Sequence, residues 1–99
     1  MTLNVTKSGN HYRIDIDGTI KSISDSQAIK DAIQQCESDS QDLRLYITNS
    51  FSVTSSVIGF LLKKVQVDKL NLSISVTDDR LLDLFKSLNL ADILNVSKS

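Results

Sequence analysis

Three hydroxyl residues in a row, Thr54-Ser55-Ser56, stand directly before the apolar run Val57-Ile58-Gly59-Phe60-Leu61-Leu62. Two chemistries suit them. Side-chain oxygens at a helix start accept hydrogen bonds from the free N–H groups of the first turn, so the stretch reads as a well-capped core helix. The same N–H groups and the positive end of the helix dipole favour negative charge, so a hydroxyl placed there is also a good seat for a phosphoryl group.

The rest of the chain offers little that reacts. A catalytic site needs a nucleophile, a base and a group to orient them. His11 is the single histidine and falls in a hairpin pattern, where it reads as a surface residue. Glu37 is the single glutamate and sits in a polar stretch with no partner in sequence. Asp15 and Asp17 alternate on one strand face, a solvated edge rather than an acid/base pair. Asp78 and Asp79 read as first-turn helix acids. Cys36 falls on an apolar helix face and has no second cysteine, so it reads as an inert, buried thiol. There is no glycine-rich phosphate loop, no metal-ligand spacing and no dinucleotide fingerprint. The expectation is a non-enzyme that holds no metal and no cofactor of its own.

Composition narrows the class. With 99 residues, 40% hydrophobic and 23% charged, the chain is expected to form a single domain over 1–99 around one core. A net charge of −1 argues against nucleic-acid binding, which needs a basic surface. No apolar run approaches the ~18–20 residues that span a bilayer, and the first residues lack the pattern of a signal peptide. The lone cysteine suits a reducing cytoplasm.

The elements that must position the hydroxyl run follow from periodicity. Leu3 and Val5, then Tyr12, Ile14 and Ile16, alternate on either side of Ser8-Gly9-Asn10, the pattern of a β-hairpin. Ser24 or Asp25 is expected to cap a first helix with Ala28, Ile29, Ala32, Ile33 and Cys36 on its buried face. Leu43, Leu45 and Ile47 then alternate as a strand reached by a crossover, parallel to an earlier one. Phe51 and Val53 are candidates to pack the following loop. The second helix runs from Ser56 to about Val67, with Ile58, Leu61, Leu62 and Val65 as its buried stripe. Leu70, Leu72, Ile74 and Val76 give the clearest strand. Thr77 or Asp78 caps a third helix with Leu81, Leu82, Phe85 and Leu88 inward, and Asn89 is its left-handed stop. Ile93, Leu94 and Val96 form a last apolar segment docked on the core. The fold class read from this order is α/β, β-β-α-β-α-β-α, a mixed sheet of about four strands with helices on one face.

Thr54 to Leu62 resembles the Asp-Ser-Ser-Gly-Leu-Gly-x-Leu-Leu signature of STAS domains of the anti-sigma-factor-antagonist type. Thr54 stands for aspartate and Val57 for the first glycine. Leu84-Phe85 through Val96 is similar to that family's closing segment, with Asn89 for glycine. Ile16 to Ile20 is similar to its Gly-Glu-Leu-Asp turn, with Gly18 in the glycine place and Lys21 where aspartate is usual. The resemblance spans the chain in element order and implies a STAS-like fold.

In function it implies a partner-switching regulator whose phosphoacceptor is the second serine, Ser56. The unphosphorylated form would bind an anti-sigma factor or related serine kinase of the histidine-kinase-like ATPase fold. Phosphorylation would end that complex, and a serine phosphatase would reset it. ATP and magnesium would belong to the kinase. The partner surface is expected at Thr54, Ser55, Val57, Ile58 and Phe60, at Thr19 and Lys21 in the neighbouring loop, and at Lys63. Val57 and Phe60 lie off the expected stripe, and Lys63 and Lys64 would meet acidic groups. The same switch on a target other than a sigma factor, such as a biofilm or secretion regulator, is the runner-up. An unphosphorylated accessory subunit of a transport ATPase is the third reading.

Overall fold

The computed structural model describes residues 1–99. Strand β1 (Thr2–Ser8) turns through Gly9-Asn10 into β2 (His11–Asp17), and the two pair antiparallel. Gly9 takes φ +61°, the left-handed conformation that a tight hairpin turn requires. Helix α1 (Ile23–Glu37), β3 (Asp42–Thr48), α2 (Ser55–Gln66), β4 (Asn71–Val76), α3 (Asp79–Ser87) and β5 (Val96–Lys98) follow. The sheet order is β1-β2-β3-β4-β5, and every pair after the hairpin is parallel. Each parallel step is bridged by a segment containing a helix, the connection that parallel strands need.

Register explains why the core forms on one face. Ile14, Leu45, Ile74 and Val96 lie side by side across the strands, and so do Ile16, Ile47 and Val76. Apart from half-buried Val96 all of these are buried, as are Ile29, Ile33 and Cys36 of α1, Val57 and Leu61 of α2, and Leu81 and Phe85 of α3. The alternate residues make the opposite, polar face. Arg13 lies 3.7 Å over the ring of Tyr46 there and grips Asp15 through two guanidinium nitrogens. Burial pushes the Cys36 thiol pKa up. No helix is long and apolar enough to cross a membrane.

The sheet has five strands rather than about four. Asn89 and Asn95, both near φ +57°, reverse the chain twice after α3 and bring Val96 alongside Ile74. Three residues carry too little alternation to announce a strand. Ile93 is exposed, so Leu94 alone of its neighbours enters the core. Ala28 and Leu88 also face solvent, because the buried faces of α1 and α3 are narrower than the apolar spacing suggested. Glu37 belongs to the last turn of α1, not to a free loop, and accepts from Lys64 of α2 at 2.7 Å. Phe51 is exposed and stacks beneath Arg80 at 4.9 Å instead of packing its loop, while Val53 does pack against the core.

Asp78 caps α3, accepting from the Arg80 amide at 2.8 Å and from its guanidinium at 2.7 Å. Those bonds, the side-chain ones first, lower its pKa to about 2. A carboxylate depressed in the folded state stabilises fully above its unfolded value near 3.8 and loses that contribution as pH falls through the folded one. Thermal midpoints measured from pH ~4 to ~2 should therefore fall less steeply for Asp78→Asn than for wild type. Parallel curves would mean that the cap does not titrate in this window.

Candidate functional site

The two loops that precede α1 and α2 are tied to each other, and that tie sets the site. Gly18, at φ +103°, donates its amide to the Thr48 carbonyl at 2.9 Å. Ser50 is buried; its hydroxyl accepts from the Ile20 amide at 3.2 Å and donates to the Ser52 carbonyl at 2.8 Å. Asp17 accepts from Asn49 at 2.6 Å and Thr48 at 2.9 Å, bonds that lower its pKa in that order of weight. The ends of β2 and β3 thus deliver both helix starts to one corner of the domain.

At that corner each helix is capped by a hydroxyl. Ser22, not Ser24 or Asp25, caps α1: its Oγ accepts from the Asp25 amide at 3.0 Å while the Asp25 carboxylate accepts from the Lys21 and Ser22 amides. This reciprocal box starts the helix at Ile23, five residues before Ala28, the first of its expected apolar positions. Those backbone bonds depress the Asp25 pKa. Thr54 caps α2, accepting from the Val57 amide at 3.2 Å. Its hydroxyl also lies 2.8 Å from that of Ser26. Ser26 can give its proton to the Ser22 carbonyl at 3.2 Å, which leaves Thr54 as the donor between the two. Threonine therefore caps the helix without adding a charge.

Ser56 is exposed in the first turn of α2. Its Oγ accepts a hydrogen bond from Lys30 Nζ of α1. The Lys30 ammonium also lies 5.9 Å from the centre of the Phe60 ring. Between the two helices opens a cleft of about 160 Å³, whose wall includes Lys21, Ser22, Ser26, Lys30, Thr54 and Ser56. Ile23, 89% exposed, stands at its rim as the most solvent-facing large apolar residue of the domain. No carboxylate, imidazole or thiol lines the cleft, and the charged groups in its wall are Lys21 and Lys30. Its wall is cationic and rich in hydroxyls, an arrangement able to hold an anion.

The expected site residues divide. Thr54, Ser56 and Lys21 line the cleft together. Ser55 is exposed beside them, Lys63 is exposed further along α2, and Thr19 is half-buried outside the lining. Ile58 and Phe60 are half-buried and packed on the core, so each offers a partner only part of its surface.

Val57 is a correction. It is 2% exposed and belongs to the core, so it presents nothing to a partner and does not obstruct Ser56. The cause is the phase of α2: Val57 and Leu61 point straight inward, and Ile58, Leu62 and Val65 form the flank. Lys64 is likewise committed within the domain, bonded to Glu37 and, at 2.9 Å, to Asp68, with the Glu37 bond the main cause of its raised pKa.

Lys30, Ser26 and Ile23 were not expected at the site. A signal for two of them exists: Ser22, Ser26 and Lys30 are spaced i, i+4 and i+8, which places them along one side of a helix. Larger depressions lie elsewhere, about 310 Å³ by His11, Asp42 and Arg44, about 360 Å³ by Lys7, Asn10 and Asp39, and about 240 Å³ by Lys86, Asn89 and Asp92. The first two open at the hairpin end, where β2 and β3 begin, and the third lies at the end of α3, whereas Ser56 follows the end of β3. No group of three histidine, cysteine or acidic side chains is close enough to hold a metal ion.

Comparison with protein-family models and with curated proteins finds no match.

Proposed function

We propose that this chain is a bacterial partner-switching regulator with a STAS-like fold, acting in the cytoplasm as a binding protein rather than an enzyme. In its unphosphorylated state it binds an anti-sigma factor or serine kinase of the histidine-kinase-like ATPase fold. Phosphorylation of Ser56 breaks that complex, and a serine phosphatase restores it. The observation that carries the reading is the position of Ser56. Its hydroxyl is exposed in the first turn of α2, bonded only to Lys30, while its neighbour Val57 holds the helix down from the core side. A modification there leaves the fold in place and changes only the surface.

The chemistry is divided between two proteins. The kinase supplies ATP, magnesium and the base that takes the Ser56 proton. The Ser56 Oγ–P bond forms as the bond from the γ-phosphorus to the bridging oxygen breaks, and ADP leaves. A partner packed on Thr54, Ser55 and Ile23 would then face a group carrying about −1.5 to −2 charges that must be desolvated. A loss of about 2.8 kcal/mol lowers affinity about 100-fold, enough for a two-state switch.

The test is capture from the native cytoplasm with tagged wild type, Ser56→Ala and Ser56→Asp, read by mass spectrometry. An ATPase-type serine kinase held by the first two and lost by the third is the expected result. Retention of one partner by all three contradicts the switch.

A further inference from the structure

We propose that Lys30 receives the phosphoryl group on Ser56, so that the modified serine becomes an ionic clasp between α1 and α2. This inference rests on Ser56 being the phosphoacceptor.

Three observations converge on it. Lys30 Nζ already donates to the Ser56 oxygen that would carry the phosphorus, so the ammonium is in place before the reaction. Lys30 also has no carboxylate partner. Five of the 11 basic residues pair with acids and Lys30 is among the six that do not; the hydrogen-bond partner of its ammonium is the uncharged Ser56 hydroxyl. Finally, Lys21 and Lys30 are the only charged residues in the cleft wall, and the cleft is far larger than the ~10–15 Å³ that a single water needs. Thr54 matters here. An aspartate at that cap would set a negative charge beside the phosphate, and threonine caps the helix without one.

The clasp gives the phosphorylated state two properties. The dianion is satisfied by its own domain through a charge-assisted bond from Lys30, so release of the partner does not leave an uncompensated charge. The group is also drawn toward α1 and occupies part of the cleft beside Ile23, which changes the surface there together with the serine.

The experiment incorporates phosphoserine at position 56 during translation, which needs no kinase, and follows the phosphorus resonance through a pH titration. An adjacent ammonium favours the dianion. The midpoint in the wild-type background should therefore lie lower than in Lys30→Met by about half a unit, the modest end of such effects because the cleft is open to solvent. Lys30→Arg should restore the low midpoint. Titration of the wild-type chain folded and in denaturing urea reads the whole corner, helix start and Lys21 included, and the folded midpoint should be the lower. Equal midpoints for wild type and Lys30→Met in the folded state overturn the clasp. Partner binding is a separate readout: equal midpoints with loss of the partner on phosphorylation reject the clasp alone. Shifted midpoints with an undisturbed partner keep the clasp and reject the switch.

Discussion

Val57→Asp is expected to lower the urea unfolding midpoint sharply, whereas Ser56→Asp, one residue earlier, should leave it nearly unchanged. The two positions are adjacent in sequence and opposite in environment. Val57 is 2% exposed and sits among the buried residues of the core. A carboxylate there would lose the apolar packing and be buried without a donor, at a cost of about 4–5 kcal/mol or more. Small domains have only about 5–15 kcal/mol in total. Ser56 is exposed at a helix N-terminus, where a negative charge is tolerated or mildly favourable. Urea unfolding followed by circular dichroism separates the cases. Similar midpoints for the two variants would mean that α2 is rotated about its axis from the arrangement described here.

Phe85→Ala should cost about 3–5 kcal/mol, while Leu88→Ala, three residues on, should stay within about 0.5 kcal/mol. Phe85 is fully buried and is the largest side chain in the core, and with Leu81 it anchors α3. Nine residues are too few to hold a helix without such anchors. Leu88 is 47% exposed at the C-cap. The midpoint in urea is the readout, with the slope unchanged if the native state keeps its compactness. A Leu88 variant as damaging as Phe85→Ala would show that the helix end packs inward after all.

The strands were easy to read where alternation ran long enough. Tyr12, Ile14 and Ile16, Leu43, Leu45 and Ile47, and Leu70 to Val76 each repeat with period two, and all three became strands in a single parallel set. The third helix cap and the left-handed Asn89 were also legible, because aspartate and asparagine have a narrow local chemistry. Helix phase was harder. In α2 nearly every residue from Val57 to Leu62 is apolar, so the i, i+3, i+4 pattern fits more than one face, and packing against α1 and the buried core chooses between them. β5 was missed because three residues carry no periodicity, and its strand depends on pairing with Ile74.

At the site, the serine was visible and its surroundings were not. Thr54, Ser55 and Ser56 stand out as a run of hydroxyls. Lys30 lies 26 residues away from Ser56 and meets it only because β2 and β3 are parallel neighbours that end at the same edge. Ile23 gave no signal, since a single isoleucine next to a helix cap looks like the beginning of a buried stripe. The corner of the domain is a product of topology, and a one-dimensional pattern does not encode it.

The most direct measurement is the affinity of the captured kinase for the purified domain carrying either serine or phosphoserine at position 56, by calorimetry with no ATP present. The serine form should bind tightly and the phosphoserine form about 100-fold or more weakly. Equal affinities would contradict it, and would leave Ser56 as an ordinary residue of a helix start.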